Sequence, residues 1–230
     1  MAELSSTHDY DKSSMTPNNN NFAATSSSQN TPLSALRPLP PHVSISRITE
    51  PTLPSFRRLL STILPIPYPN NFFTSILPSS ALARIAIWTT STTSNPSPQP
   101  AGIVVAGIRC RIEPLPPLSP SDSAFSSAAP TQLYIQTLAT LSPYRGHGLA
   151  SHLLAEVLSE AMRDNRGLES VYAHVWEANE EALEWYARRG FVVEGEIVQG
   201  YYRRLKPSGA WVVRRRTGVR DWVALEGEGR

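Results

Sequence analysis

The chain has 230 residues, a formal net charge of +2 and 40% hydrophobic residues. Its 21 basic and 19 acidic side chains nearly balance, so DNA binding through bulk charge is not expected. Its one cysteine, Cys110, excludes an intramolecular disulfide and offers no zinc cluster; no metal site and no membrane span are expected.

Residues 1–41 are rich in Ser, Asn and Pro and have no periodic apolar face, which predicts a disordered tail. They lack the basic start and apolar core of a secretory signal, and the early acids argue against a mitochondrial one. A single domain is expected over 42–216, followed by a tail over 217–230. Val43–Ile48 alternates like a strand. Thr52–Leu64 spaces Phe56, Leu59, Leu60 and Ile63 as one helical face. Pro65, Pro67 and Pro69 then force a stiff extended turn before a short helix over Asn71–Leu77.

Leu82–Trp88 and Ile103–Ile112 read as strands, and Cys110 in the second reads as a buried, inert thiol. The Ser/Thr/Pro-rich stretch 89–100 and the Pro/Ser/Ala-rich stretch 113–130 read as loop insertions. Leu133–Thr140 is a strand, and Gly148–Met162 a helix with Leu149, Leu153, Val157 and Ala161 on one face. Val171–Val175 is a strand. Asn179–Arg188 is a helix that Asn179 can cap. Gly190 ends it, a strand runs on through Val198, and Trp211–Val213 is a last one. The order is β-α-α-β-β-β-α-β-α-β-β, which predicts an α+β sheet domain.

The junction between strand 133–140 and helix 148–162 carries the chemistry. Arg145-Gly-His-Gly-Leu-Ala150 places small residues where a helix opens, so backbone N–H groups face outward as an anion site. It has neither the Lys-Ser/Thr of a P-loop nor a three-glycine dinucleotide turn.

This loop resembles the pyrophosphate loop of the GNAT acetyltransferases. Together with Leu64-Pro-Ile-Pro-Tyr68, Leu133-Tyr-Ile-Gln-Thr-Leu138, His174 with Asn179, Trp185–Phe191 and Tyr201-Tyr-Arg-Arg204, the chain resembles the NatE-type protein N-terminal α-acetyltransferases. The resemblance implies the acyl-CoA N-acyltransferase fold, a three-layer α/β/α domain around a mixed, largely antiparallel sheet. It implies acetyl-CoA as cofactor, held by Leu138, Arg145, Gly146, His147, Gly148, Leu149, Ala150, Asn179 and Tyr186. It implies Tyr134 and His174 as a catalytic pair that holds water near the attacking amine, with Tyr186 standing near the thioester sulfur. The substrate walls it implies are Leu64, Pro65, Ile66 and Tyr68 facing Tyr201 and Tyr202.

A neutral amine must attack, and a histidine at its ordinary pKa of about 6.5 can take its proton more readily than a tyrosine near 10. The implied substrates are protein or peptide N-termini, with an apolar pocket suited to Met followed by a hydrophobic residue. An internal lysine, a small amine, or a non-catalytic CoA-binding adaptor are the alternatives. An auxiliary subunit of the NatA kind and the ribosome are the implied partners. Arg203, Arg204, Lys206 and Arg214–Arg216 read first as a solvated basic face, and second as a docking face for such partners. The expected compartment is the cytoplasm, with the nucleus as a second.

Overall fold

The computed structural model describes residues 36–64, 66–78, 81–89, 102–115, 130–165, 167–218 and Asp221. Most of the expected N-terminal tail, most of each expected insertion and most of the C-terminal tail lie outside the described residues. Pro65, one of the expected substrate-wall residues, does too.

The elements follow the predicted order. They are β1 (Val43–Arg47), α1 (Leu53–Ile63), α2 (Asn70–Thr74), β2 (Ala83–Thr89), β3 (Gly102–Pro114) and β4 (Thr131–Thr140). A 3-10 turn at Ser142–Tyr144 leads into α3 (Leu149–Asp164), β5 (Leu168–Trp176), α4 (Glu180–Ala187), β6 (Val192–Val198) and β7 (Ala210–Arg216). The seven strands form one sheet in the order β1-β2-β3-β4-β5-β7-β6. All neighbours are antiparallel except β4 and β5.

Two apolar clusters sandwich the sheet. On one side α3 buries Leu149, Leu153, Leu154, Val157, Leu158, Ala161 and Met162 with Ile108, Leu133, Ile135, Val171 and Ala173. On the other, Phe56, Leu59 and Leu60 of α1 and Phe73 of α2 pack with Ile85, Val104 and Ala139. Each fully buried Leu or Phe contributes about 1.5–3 kcal/mol, which makes these faces the main source of stability. Cys110 lies in the α3-side cluster, and burial pushes its thiol well above its ordinary value.

The decisive irregularity is in β4. Arg109 pairs with Thr137, yet Cys110 pairs with Ile135, so Gln136 is one residue more than β3 matches. Such a bulge bends the strand that carries it. The β4–β5 register runs only from Thr131↔Leu168 to Ile135↔Ala173, although β4 continues to Thr140 and β5 to Trp176. The two strands therefore part at the bulge and leave a wedge inside the sheet.

Helix α3 is fastened across the sheet by charge. Glu160 accepts from both Arg84 and Arg47, and Arg84 also reaches Glu156 at 3.0 Å. The Arg84 and Glu160 side chains are only 5% and 11% exposed, so neither charge can fall back on water. Breaking such a pair from one side strands the other charge at a cost of about 3–5 kcal/mol. Glu160→Gln is expected to lose that much in urea unfolding. An Arg84→Met/Glu160→Leu double variant is expected to regain most of it.

Candidate functional site

The wedge opens into a cleft of about 1180 Å³. Its walls are the parted ends of β4 (Ile135–Thr140) and β5 (Ala173–Trp176), and it extends to the loop that opens α3 and to the inner face of α4. Four buried side-chain atoms here, Gln136 Oε1, Thr137 Oγ1, Thr140 Oγ1 and His174 Nδ1, have no hydrogen-bond partner among the described residues. Native interiors rarely leave polar atoms in that state, so the wedge is built for an occupant that carries polar groups of its own.

At one end stands the glycine loop. Gly146 and Gly148 have φ of +80° and +78°, a conformation that other residues adopt only with strain. A Cβ at Gly146 would meet nothing within 4 Å, so the glycine serves backbone shape and leaves open space in front of it. Gly148 is the N-cap of α3, and among the described residues no N–H from Gly146 to Ala150 is bonded to the backbone. These donors and the helix dipole make the expected anion cradle. The Arg145 side chain is already taken by Glu181 at 2.7 Å. His147 does not line the cleft; its exposed ring lies against Trp88 at 5.2 Å, and Trp88 also meets Tyr144 at 4.9 Å.

Leu138, Arg145, Gly146, Gly148, Leu149, Ala150, Asn179 and Tyr186 all line the cleft. Asn179 also caps α4, accepting from the Ala182 N–H at 3.1 Å, so a capping role and a ligand-facing position coexist. Tyr186 is packed between Trp185 and Phe191, and burial raises its phenol well above the ordinary value. Arg189, which sequence reasoning passed over, donates to Ser151 Oγ at 2.9 and 2.6 Å and covers the Trp185 ring at 3.8 Å. Burial first, then the neighbouring Arg188, lowers it to about 10.

Beyond the wedge lies a cluster of aromatic rings. His174, on β5, is flanked by Tyr201, which stacks on it at 4.2 Å and 10°. Tyr134, on β4, meets His174 edge-on at 5.5 Å and shares a 2.7 Å hydroxyl–hydroxyl hydrogen bond with Tyr201. Tyr202 donates to the His174 carbonyl at 3.0 Å. The two tyrosines sit in the turn between β6 and β7, not on a strand, which is how both rings reach one site. Of this cluster His174 and Tyr202 line the cleft, while Tyr134 and Tyr201 stand beside it.

Burial sets the electrostatics of this cluster. It pushes the Tyr134 phenol far above its ordinary value, with the Tyr201 hydrogen bond next in weight. It lowers His174 below the ordinary histidine value, against the pull of Glu113. Glu113 was expected in a loop, but β3 runs on to Pro114 and sets it beside Tyr172, whose hydroxyl donates to it.

Leu64, Ile66 and Tyr68 form the opposite wall. Burial pushes Tyr68 up to about 12. The wall is fixed from behind by Arg109 of β3. Its guanidinium donates to the Phe72 carbonyl and, at 2.9 Å, to Ser75 Oγ, and it covers the Phe72 ring at 4.0 Å. Phe72 in turn stacks on Tyr68 at 4.4 Å. No sequence pattern marks an arginine in an apolar strand for that task.

The basic run near the C-terminus is not one solvated face. Arg214 donates to Glu194 at 2.7 Å, to Gln132 at 2.7 Å and to Ser170 at 2.9 Å. Arg215 is buried against Asp221 at 2.5 Å. These residues hold the sheet edge, and only Arg203, Arg204, Lys206 and Arg216 remain exposed.

The profile of the family described as "Acetyltransferase (GNAT) family" matches residues 81–191. The chain is 27% identical over 173 residues to N-alpha-acetyltransferase 50 of Danio rerio, covering 75% of this chain and 88% of that protein. It is 25% identical over 173 residues to the probable N-acetyltransferase san of Drosophila melanogaster, covering 75% and 80%. The structure of Arabidopsis thaliana Naa50, in complex with the bisubstrate analogue CoA-Ac-MVNAL, superposes with a TM-score of 0.58 at 25% identity, covering 76% of this chain and 98% of that one.

Arg109→Met should loosen α2 without unfolding the sheet. Amide exchange over Asn70–Ser75 is expected to speed at least about tenfold, the size of one charged hydrogen bond, while β3 and β4 keep their protection. Unchanged exchange over α2 would show that Arg109 does not hold it.

Proposed function

We infer that this chain, a GNAT-fold acetyltransferase resembling the Naa50 kind of enzyme, transfers acetyl from acetyl-CoA to the α-amine of protein N-termini. The observation that carries this reading is the wedge between β4 and β5, lined by polar atoms that have no partner among the described residues, with an anion cradle at one end and a mostly apolar pocket at the other.

Acetyl-CoA supplies the activated carbonyl that the amine attacks. Its pyrophosphate is suited to the N–H groups of residues 146–150, and the amides of its arm to Gln136, Thr137, Leu138 and Asn179 along the wedge. His174 is the base of this reading. Its lowered pKa keeps the ring neutral near pH 7, so it can take the ammonium proton directly or through water. Tyr134 stays protonated at any working pH, so it serves as a hydrogen-bond partner that orients water and Tyr201 and takes no proton itself. Leu64, Ile66, Tyr68 and Tyr202 all line the cleft, and they make a mostly apolar set suited to an initiator methionine followed by a hydrophobic residue. The analogue bound to the Arabidopsis protein carries the sequence MVNAL, in keeping with that preference. Among the described residues that line the cleft the one acidic side chain is Glu181, which is paired with Arg145.

A panel of short peptides, scored by CoA release, tests the substrate. Met-Leu and Met-Val starts are expected to turn over fastest, ahead of Ser, Ala and acidic starts. A faster internal lysine or small amine would overturn the proposed substrate.

The base is tested by pH. Because His174 is depressed below about 6.5, kcat should hold from pH 9 down to near 6.5 and fall only below it. For kcat/KM the peptide amine adds a limb near pH 7.7–8.0, rising with pH. His174→Ala should cost about 10²-fold in kcat with acetyl-CoA affinity unchanged, and higher pH should recover part of the loss. Tyr134→Phe should cost less. Wild-type turnover of His174→Ala across that range would reduce His174 to a structural residue.

Gly148→Val should weaken acetyl-CoA binding at least about tenfold by calorimetry, because φ of +78° at the head of α3 costs a branched residue more than about 1–2 kcal/mol. A folded variant with unchanged affinity would remove the loop from the cofactor site.

A further inference from the structure

The segment preceding β1 has no part in the site as described so far, yet three contacts hold it beside α3 and the residues that support the glycine loop. The Arg37 carbonyl accepts from His152 Nε2 at 2.7 Å, and the His152 ring is the group that a Cβ at Gly148 would meet, at 3.7 Å. His42 packs edge-on against Trp88 at 4.0 Å, and Trp88 also touches Tyr144 and His147, the residues that flank and form the loop. Leu39 packs on the α3-side core. The arm therefore has a fixed course beside the head of α3.

That course brings Arg37 to the cleft, whose lining it joins. The charges around it single it out. Arg145 is paired with Glu181 and Arg188 with Glu184 at 3.5 Å. Arg189 is tied to Ser151 and the Trp185 carbonyl. The Arg37 side chain is exposed, and among the described residues its guanidinium makes no hydrogen bond or ion pair.

We propose that Arg37 is a ligand-binding residue of the cofactor site, and that its guanidinium takes a phosphate group of coenzyme A. The inference rests on the reading of the cleft as an acetyl-CoA site. The physical case is that a dianionic or pyrophosphate group at the head of α3 meets neutral N–H donors but only side chains already engaged elsewhere. Among the described arginines that line the cleft, Arg37 alone offers an uncommitted fork of donors, the geometry that binds phosphate in two parallel hydrogen bonds. The arm's anchors on His152 and Trp88 lower the entropy cost of presenting it.

Calorimetry of the full chain with CoA and with dephospho-CoA, which lacks the 3′-phosphate, tests this. Arg37→Ala is expected to weaken CoA binding about tenfold, with Arg37→Lys intermediate because it keeps the charge and loses the fork. Loss confined to CoA assigns the contact to the 3′-phosphate. An equal loss with dephospho-CoA assigns it to the pyrophosphate. Unchanged affinity of Arg37→Ala for both ligands overturns the proposal. Failure of the wild-type chain to bind CoA would instead overturn the cofactor reading itself. Arg37 is exposed, so the variant's melting temperature should match the wild type, which keeps misfolding from mimicking a binding defect.

Discussion

Everything in this molecule depends on one parallel pair of strands that stays paired for only half its length. Antiparallel neighbours can be joined by a turn, but β4 and β5 are parallel, so the chain must cross the sheet between them. It does so through the glycine loop and α3, and the head of that helix is left at the end of the pair where the strands separate. The extra residue at Gln136 bends β4 at the point where β5 leaves it. Anion cradle and polar wedge are thus consequences of a single topological choice and one bulge. The cost of opening a sheet from within is offset chiefly by the two apolar faces, while the Arg84–Glu160–Arg47 cluster fixes how α3 lies across the sheet.

The same desolvation acts on Tyr134 and His174 with opposite consequences for their chemistry. Removing water disfavours the charged form of each, which raises the phenol and lowers the imidazole. A phenol raised in this way is useless as a base. An imidazole lowered in this way is more fully neutral near pH 7, the form that the proposed base requires. Burial is the largest cause of both shifts, with the Tyr201 hydrogen bond adding to the first and Glu113 opposing the second, and the two directions suit the proposed roles of donor and acceptor.

Most of the scaffold was legible because its signals are local. Element order followed from the period of apolar residues, the three prolines after α1 and the capping residue before α4. The loop at Arg145–Ala150 was legible because left-handed backbone at a helix head calls for glycine. What could not be read depends on contacts between distant segments. Gln136 is an ordinary strand residue until β3 is laid beside it. Arg109, in an apolar strand, reveals its grip on α2 only in three dimensions. The Arg214-Arg215 pair looked like a surface run because sequence gives no sign that Glu194, Gln132 and Asp221 lie within reach. Arg37 fell inside a stretch set aside on composition, and composition does not register a single arginine next to the first core residue.

The position of Tyr134 is fixed by the sheet more than by its own strand. Arg111, Tyr134, Tyr172 and Arg214 occupy consecutive register positions on β3, β4, β5 and β7. The two rings stack at 4.8 Å, and a guanidinium covers each outer face at 5.4 and 4.9 Å. Glu113 closes the row by pairing with Arg111 at 2.5 Å while accepting from Tyr172. The Tyr134 ring is thus held between a ring and a cation, and its hydroxyl meets that of Tyr201 at 2.7 Å. Tyr201 and Tyr202 arrive on a turn, the least constrained kind of element, yet each is caught by a group on a rigid strand: the Tyr134 hydroxyl for one, the His174 carbonyl for the other. The precision of the site thus flows outward from the paired half of β4 and β5 to the loop, and the two rings of that row, Tyr134 and Tyr172, both meet His174 edge-on, at 5.5 and 5.9 Å.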